Sequence, residues 1–350
     1  MYSQLKEKEY RKTVAVLFAL TLLFGAAASV LEILAFPLLA AWFAALFVFS
    51  SAKRRGIILP CAAAAVVVTL GFLTTPWAAF TAVAALVTGL IIGLMFLLSR
   101  SKPECVTVTL VAFLLMTAAS LWILAAVEMG NVSFDSVKTY YTDLYADFRA
   151  SAITALRQSY AEAGADASAE EFTEMLELIP VYLDNLAYLS PSVIAIMAFI
   201  LVGIAFKIFV RLIYKYSLAG SLVLRWRFTT TNVFVIFYLV LALLNVFLSD
   251  TGAFAVSVLN LYTFFNFLYA YVGYNFALAL LTQKMRYGLA VLIVVGAVML
   301  FSSLAVNVLA IGGVAFTFIS NKSGGFGALP GVEQIDIKTD NESENDNEKD

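Results

Sequence analysis

Residues 128–186 read EMGNVSFDSVKTYYTDLYADFRASAITALRQSYAEAGADASAEEFTEMLELIPVYLDNL, a polar block set between two long apolar ones. The block carries eleven carboxylates, at Glu128, Asp135, Asp143, Asp147, Glu162, Asp166, Glu170, Glu171, Glu174, Glu177 and Asp184. Against them stand three bases, Lys138, Arg149 and Arg157. Almost everything on either side of it, up to about Ser320, falls into apolar runs of about 20 residues, the length a helix needs to cross a ~30 Å hydrocarbon layer. A bilayer core has no water to satisfy backbone groups, so spans must be helices or closed barrels. Continuous Leu/Ala/Val/Phe runs, lacking the alternation of a barrel strand, select helices. The expected fold is all-α, a polytopic transmembrane helical bundle of about ten membrane segments with one extracytoplasmic helical insert. Its divisions are 1–127, an N-terminal transmembrane block of about five helices; 128–187, the acidic insert; 188–320, a C-terminal block of about five segments; and 321–350, an acidic tail expected to be disordered.

Composition narrows the chemistry. Hydrophobic residues make up 62% of the chain and charged ones 13%, half of the roughly 25% usual in a soluble domain. Histidine is absent, which removes the commonest metal ligand and proton shuttle and excludes a serine–histidine hydrolase. No HExxH, GxSxG, Walker lysine loop or metal-spaced Cys/His cluster occurs. The central spans lack the carboxylates that proton-coupled pumps place at mid-depth. No catalytic, cofactor-binding or metal site is therefore expected, and no nucleic-acid partner; the chain reads as a non-enzyme. Cys61 and Cys105 lie near helix ends, where cysteine behaves as a small apolar residue, and form no disulfide framework.

Outward from the insert, the first block starts with a short basic segment and an apolar run from Thr13 to about Val30. Ala26-Ala27-Ala28 would suit a cleaved leader, but a second span follows almost at once from Leu34 to Ser50, so an uncleaved helical hairpin is expected. Glu32 then sits in the turn, as an interfacial carboxylate or a group facing a cation or ligand. Further spans are expected at about Gly56–Thr75, Ala78–Ser99 and Val106–Val127, with the turn between the first two at Thr74-Thr75-Pro76-Trp77. Sixteen Lys and Arg fall in segments expected inside, among them Lys53-Arg54-Arg55, Arg100 and Lys102, against three in the insert. Positive charge faces the cytoplasm, so the amino terminus is expected inside and the insert outside.

Within the insert, Phe134, Val137, Tyr141, Leu144 and Phe148 recur at helical steps. Ser168-Ala169-Glu170-Glu171 fits a capping box for a second helix, whose apolar face (Phe172, Met175, Leu176, Ile179) runs to Pro180. The helices pack on each other or the membrane, or dock a partner. The second block opens near Leu189-Ser190-Pro191 and reaches Lys215. Lys207, Arg211 and Lys215 form one basic stripe, which snorkels to headgroups and could contact anionic lipid.

The most polar span is the one at about Ala253–Leu281. Its Tyr262, Asn266, Tyr269 and Gly273 step along one face, with Asn275 beyond. Amides and phenols in hydrocarbon seek partners, so this face should turn inward. It either hydrogen-bonds to neighbouring helices or lines a solute pocket, with Tyr262, Asn266, Tyr269 and Asn275 as candidate lining. Gly288–Ser320 is 33 residues, about 50 Å as one helix, and is expected to break near Ser302–Asn307 into two segments, with a re-entrant last segment or one long fused helix as the alternatives. Gly89 and Gly93, and Ala15 and Ala19, have the spacing of close helix packing, within the chain or against a partner subunit.

This layout resembles the YybS-like family, a bacterial group of multi-spanning proteins of unknown function. The resemblance covers about residues 10–320. It rests on the paired-helix start, the outer acidic insert ending in a proline-started span, and the Arg225-Trp226-Arg227 connector. Two features of that family are missing: an acidic-aromatic-arginine signature near 312–322, and a proline where Thr229–Thr231 stand. The amino-terminal half is distantly similar to substrate-binding subunits of energy-coupling-factor vitamin transporters, whose alanine-spaced first helix meets a coupling subunit; Ala15 and Ala19 fit that spacing. The resemblance implies the cytoplasmic membrane of a bacterium. A solute-binding, transport-related subunit is the first functional expectation; the alternative is a non-transporting scaffold or regulator that docks an envelope protein through the insert.

Overall fold

The computed structural model describes residues 7–51, 57–98, 102–131, 133–162, 170–216, 232–248 and 252–322. Lys53-Arg54-Arg55, Ser168, the Arg225-Trp226-Arg227 connector and nearly all of the expected tail lie outside these residues, as do the side chains of Phe172, Met175, Leu176 and Ile179. The described residues are helical, without strands: α1 Glu7–Leu31, α2 Phe36–Ser51, α3 Ile58–Thr74, α4 Pro76–Leu97, α5 Lys102–Met129, α6 Phe134–Glu162, α7 Glu170–Tyr216, α8 Asn232–Phe247, α9 Ala253–Leu281 and α10 Tyr287–Lys322. Five stretches are long and apolar enough to cross a membrane: Glu9–Leu34, Pro76–Leu97, Glu104–Met129, Tyr188–Ile213 and Ala253–Leu281. Shorter apolar stretches are Phe36–Ser51, Ile58–Thr74, Asn232–Phe247, Tyr287–Leu300 and Leu304–Ile319.

The chain forms two compact units. One holds residues 1–226 with 251–260, the other 227–250 with 261–350, so α9 contributes to both. In the first unit α2 is the central helix. It is apolar all round, and thirteen of its residues, from Phe36 to Ser50, are buried. Here α1, α4 and α7 enclose it, so its apolar surface packs on protein. The Tyr10 hydroxyl ties α1 to it by donating to the Phe49 carbonyl at 3.0 Å.

Local sequence sets the corners. Thr75, in extended conformation, caps α4 by accepting from the Ala78 N–H at 3.0 Å, and Pro76 occupies the first helical position, where its missing N–H costs nothing. Glu32 opens a short 3-10 turn between α1 and α2 with φ +44°, a left-handed value unusual for a side chain. α5 stops at Gly130, whose φ of +65° only glycine adopts freely. Ser133 then caps α6, its Oγ accepting from the Ser136 N–H at 3.1 Å, and α6 folds back along α5.

Two expected breaks do not occur. A span was expected to begin near Leu189, and an apolar stretch long enough to cross a membrane does start there, Tyr188–Ile213, but the second insert helix does not end at Pro180: α7 runs unbroken for 47 residues through Pro180 and Pro191. Pro191 removes one backbone donor, and the side chain of Asn260 repairs the helix next to it. Asn260 Nδ2 donates to the Tyr188 carbonyl at 2.7 Å and its Oδ1 accepts from the Ser192 N–H at 2.9 Å. Those two groups stand four residues apart, the pair a regular rung would join. Likewise α10 is one helix of 36 residues, not two segments parting near Ser302–Asn307. That stretch holds neither proline nor glycine, and serine and asparagine alone do not interrupt a helix.

Candidate functional site

The second unit is built on α8, the later part of α9, and α10. α9 and α10 run antiparallel and approach at two reciprocal points. A Cβ at Gly273 would collide with the Leu309 carbonyl, and one at Gly313 with the Tyr269 carbonyl. With glycine in both positions the backbones close up, as small residues allow in membrane helix pairs. Tyr269 is fully buried there, in a core with Val235, Tyr238, Ala270 and Ala310.

The polar face of α9 is built onto this contact. The Tyr238 hydroxyl of α8 donates to Asn266 Oδ1 at 2.8 Å, and Asn266 Nδ2 donates to Asn307 Oδ1 of α10 at 3.1 Å. One carboxamide thus links three helices. The Tyr238 ring stacks on Tyr262, with centroids 5.9 Å apart and planes 6° from parallel, and packs on Tyr269 at 4.9 Å. Ring pairs at these separations add to the stability given by burial alone. Asn307 is exposed at the end of the ladder, while Asn266 and Tyr262 are half-buried. The arrangement offers amide donors and acceptors beside flat aromatic faces, with no carboxylate or base among them. It can hydrogen-bond and stack a polar planar group.

Three of the four expected pocket residues, Tyr262, Asn266 and Tyr269, are therefore brought together. Asn275 is not joined to them: its Nδ2 donates to the Tyr271 carbonyl one turn back on its own helix, at 2.8 Å. Tyr238 and Asn307 were not expected. Each shares its helix with other polar residues, Asn245 on α8 and Ser302, Ser303 and Thr317 on α10 among them, so no sequence signal singles it out.

The other candidates lie in the first unit. Gly89 and Gly93 face α2, where added Cβ atoms would press on the Ala40 carbonyl and on Phe47. Ala15 and Ala19 are exposed on α1. Lys207, Arg211 and Lys215 are all exposed along the last turns of α7.

A search of curated proteins and a search of solved structures each returned no match. The family described as "Predicted membrane protein (DUF2232)" matches residues 14–314. That match spans all five of the long apolar helices except the first residues of α1, and this chain belongs to that family of predicted membrane proteins.

Proposed function

We propose that the protein is a non-enzymatic, solute-binding membrane subunit related to transport, and that the tyrosine–amide ladder is its binding surface. The observation that carries this reading is the continuity of the ladder. It leads from the exposed Asn307 amide through Asn266 to the buried Tyr238 hydroxyl, beside the rings of Tyr262 and Tyr269. Buried phenols and amides in apolar surroundings fix the orientation of a small polar ligand. The matching solute is polar, planar and without a net charge at the contact.

In this reading the chain resembles the YybS-like proteins and, more distantly, the energy-coupling-factor substrate-binding subunits. Ala15 and Ala19, exposed on α1, would meet a coupling subunit. The chain would cross a bacterial cytoplasmic membrane about ten times, with the amino terminus inside and residues 128–187 outside. Lys207, Arg211 and Lys215 would face anionic headgroups on the inner side.

The test is a thermal-shift screen of the detergent-solubilised protein against small polar planar compounds. A stabilising compound should lose its effect in Asn266→Ala and in Tyr262→Ala, each of which should still unfold cooperatively without it. A shift that survives both substitutions removes the ladder as the binding surface.

A second reading, a scaffold that docks an envelope partner through the insert, draws on α6. Leu144 and Phe148 are 40% and 58% exposed there, beside the exposed Asp143 and Asp147. Deleting Ser133–Glu177 should then abolish co-purification of the partner while the protein still inserts; unchanged recovery would exclude this reading.

A further inference from the structure

The first turns of α6 are held at one level against two membrane helices. The Tyr141 hydroxyl hydrogen-bonds the Ser190 hydroxyl of α7, and Val137, Tyr140 and Tyr141 line a groove with Leu121 of α5. Two independent rulers fix that level. α5 starts at Lys102, and Leu121 stands about 19 residues on, roughly 29 Å at 1.5 Å per residue. In the span Tyr188–Ile213, Ser190 stands about 17 residues, roughly 26 Å, before the exposed Lys207. Against a hydrocarbon layer of about 30 Å, both reach the membrane boundary opposite the basic ends of their helices. Trp122 and Tyr188, both exposed, stand at the same level, where tryptophan and tyrosine gather among headgroups.

The chain then sets a direction. α5 and α6 are joined beyond this level, through Gly130, so α6 comes to the boundary from the aqueous side and meets it at Tyr141. It contains neither proline nor glycine and runs unbroken to Glu162, about 21 residues or roughly 32 Å further. It does not continue through the hydrocarbon. α6 is not among the stretches apolar enough to cross a membrane, and Asp143, Asp147, Arg149 and Arg157 would be carried inward, where such side chains are rare. A continuous helix that arrives from outside and cannot go in must lie along the surface.

Its faces match that position. Leu144 and Phe148 are exposed, and Ser151 and Ala155 continue the same exposed stripe. On the adjoining side Tyr145, Arg149, Ala152 and Leu156 are half-buried. At about 100° per residue, every charged side chain from Asp135 to Arg157 lies roughly 80° or more around the helix from the line through Leu144 and Phe148. Asp147 is on one flank, Lys138 and Arg149 are on the other, and Asp135, Asp143 and Arg157 are further round. Glu162 returns to the line only at the last residue. An apolar stripe with charge kept to the flanks and back belongs to a helix in the interface plane. We propose that α6 beyond Tyr141 is an in-plane membrane helix, its Leu144–Phe148 stripe resting on the hydrocarbon boundary of the bilayer that holds the spans. This does not depend on the solute-binding reading, and it gives to lipid the surface that the scaffold reading gives to a partner protein.

Depth measurement tests it. Full-length protein with Cys61→Ala, and with the buried Cys105 left in place, receives one nitroxide-labelled cysteine at a time. The stripe positions are Leu144→Cys, Phe148→Cys and Ala155→Cys; Ala146→Cys and Ala150→Cys lie on the opposite side. All five residues are exposed, so none of the substitutions opens a core. Each protein is reconstituted into phosphatidylcholine vesicles, and power-saturation EPR reads collision with oxygen, which concentrates in hydrocarbon, and with a water-soluble nickel chelate. The oxygen-to-nickel ratio should be several-fold higher at the three stripe positions than at the two opposite ones, and similar among the three. Nickel reaching Leu144→Cys and Phe148→Cys as freely as Ala146→Cys and Ala150→Cys would put the helix in water and overturn the proposal. Stripe labels shielded from both reagents would overturn it in favour of a protein partner. A ratio that climbs steadily from position 144 to 155, regardless of face, would overturn it in favour of a helix entering the hydrocarbon.

Discussion

The main-chain carbonyl of Tyr269 lies directly against Gly313, and one turn along the same pair of helices Gly273 meets the carbonyl of Leu309. Any side chain at Gly313 must push α10 off α9 and open the core around Tyr269. Gly313→Val should therefore lower stability by about 1–3 kcal/mol, the usual cost of overfilling a packed contact, or more where backbone must move. Gly312 supplies the control one residue away. An added Cβ there meets nothing within 4 Å, and replacing a helical glycine by alanine gains roughly 1 kcal/mol in propensity. Thermal unfolding of Gly312→Ala should match or exceed the parent while Gly313→Val falls well below it. Equal behaviour of the two would show that α9 and α10 do not approach here.

Asn260 spans the Tyr188 carbonyl and the Ser192 N–H beside Pro191, so its loss leaves a buried N–H and a partly buried carbonyl short of a partner. Asn260→Ala should cost about 1–3 kcal/mol. Restoring a regular helix with Pro191→Ala lets Ser192 and Tyr188 join each other directly, and Asn260→Ala should then cost much less. A double-mutant cycle read by thermal or denaturant unfolding measures this coupling, expected at about 1 kcal/mol. Additive effects would mean that Asn260 does not serve the proline break.

How much of this could be read from residues alone depends on whether the cause is local. The α3–α4 corner was legible because Thr75 and Pro76 act within one turn of themselves. So was the inward face of α9, since Tyr262, Asn266 and Tyr269 fall at helical spacing and hydrocarbon penalises a bare amide. Their partners were not legible. Tyr238 and Asn307 lie 28 and 41 residues from Asn266, and no periodicity links them. Pro191 misled for the same reason: the local rule ends a helix before proline, and the correction comes from Asn260, 68 residues away. Lipid-facing and protein-facing sides are both apolar in a span, so the pattern also could not tell that Gly89 is packed against α2 while Ala15 and Ala19 are exposed.

Glu32 holds φ +44° in the turn between α1 and α2 with its side chain exposed. For an L-residue that conformation costs about 1–2 kcal/mol, and glycine escapes the cost. Glu32→Gly should raise the thermal midpoint, by the equivalent of about 1 kcal/mol after glycine's greater freedom in the unfolded chain is subtracted. A midpoint that falls would show that the carboxylate itself holds the turn.

The ladder can be separated from simple packing by removing single atoms. Tyr238→Phe deletes the hydroxyl that meets Asn266 and leaves the ring stacked between Tyr262 and Tyr269. Hydrogen bonds between membrane helices are worth about 0.6 kcal/mol on average, so the variant should unfold only slightly earlier than the parent. Asn266→Ala removes the link to both Tyr238 and Asn307 and should cost more, about 1–2 kcal/mol, because two groups then lose their partner together. If the ladder is structural only, a stabilising solute will raise the midpoint of Tyr238→Phe by as much as it raises the parent's. If the solute takes its hydrogen bonds from the ladder, its stabilisation shrinks in Tyr238→Phe despite the near-unchanged fold. That difference between the ligand shift and the unliganded midpoint is the measurement that assigns the ladder a binding role.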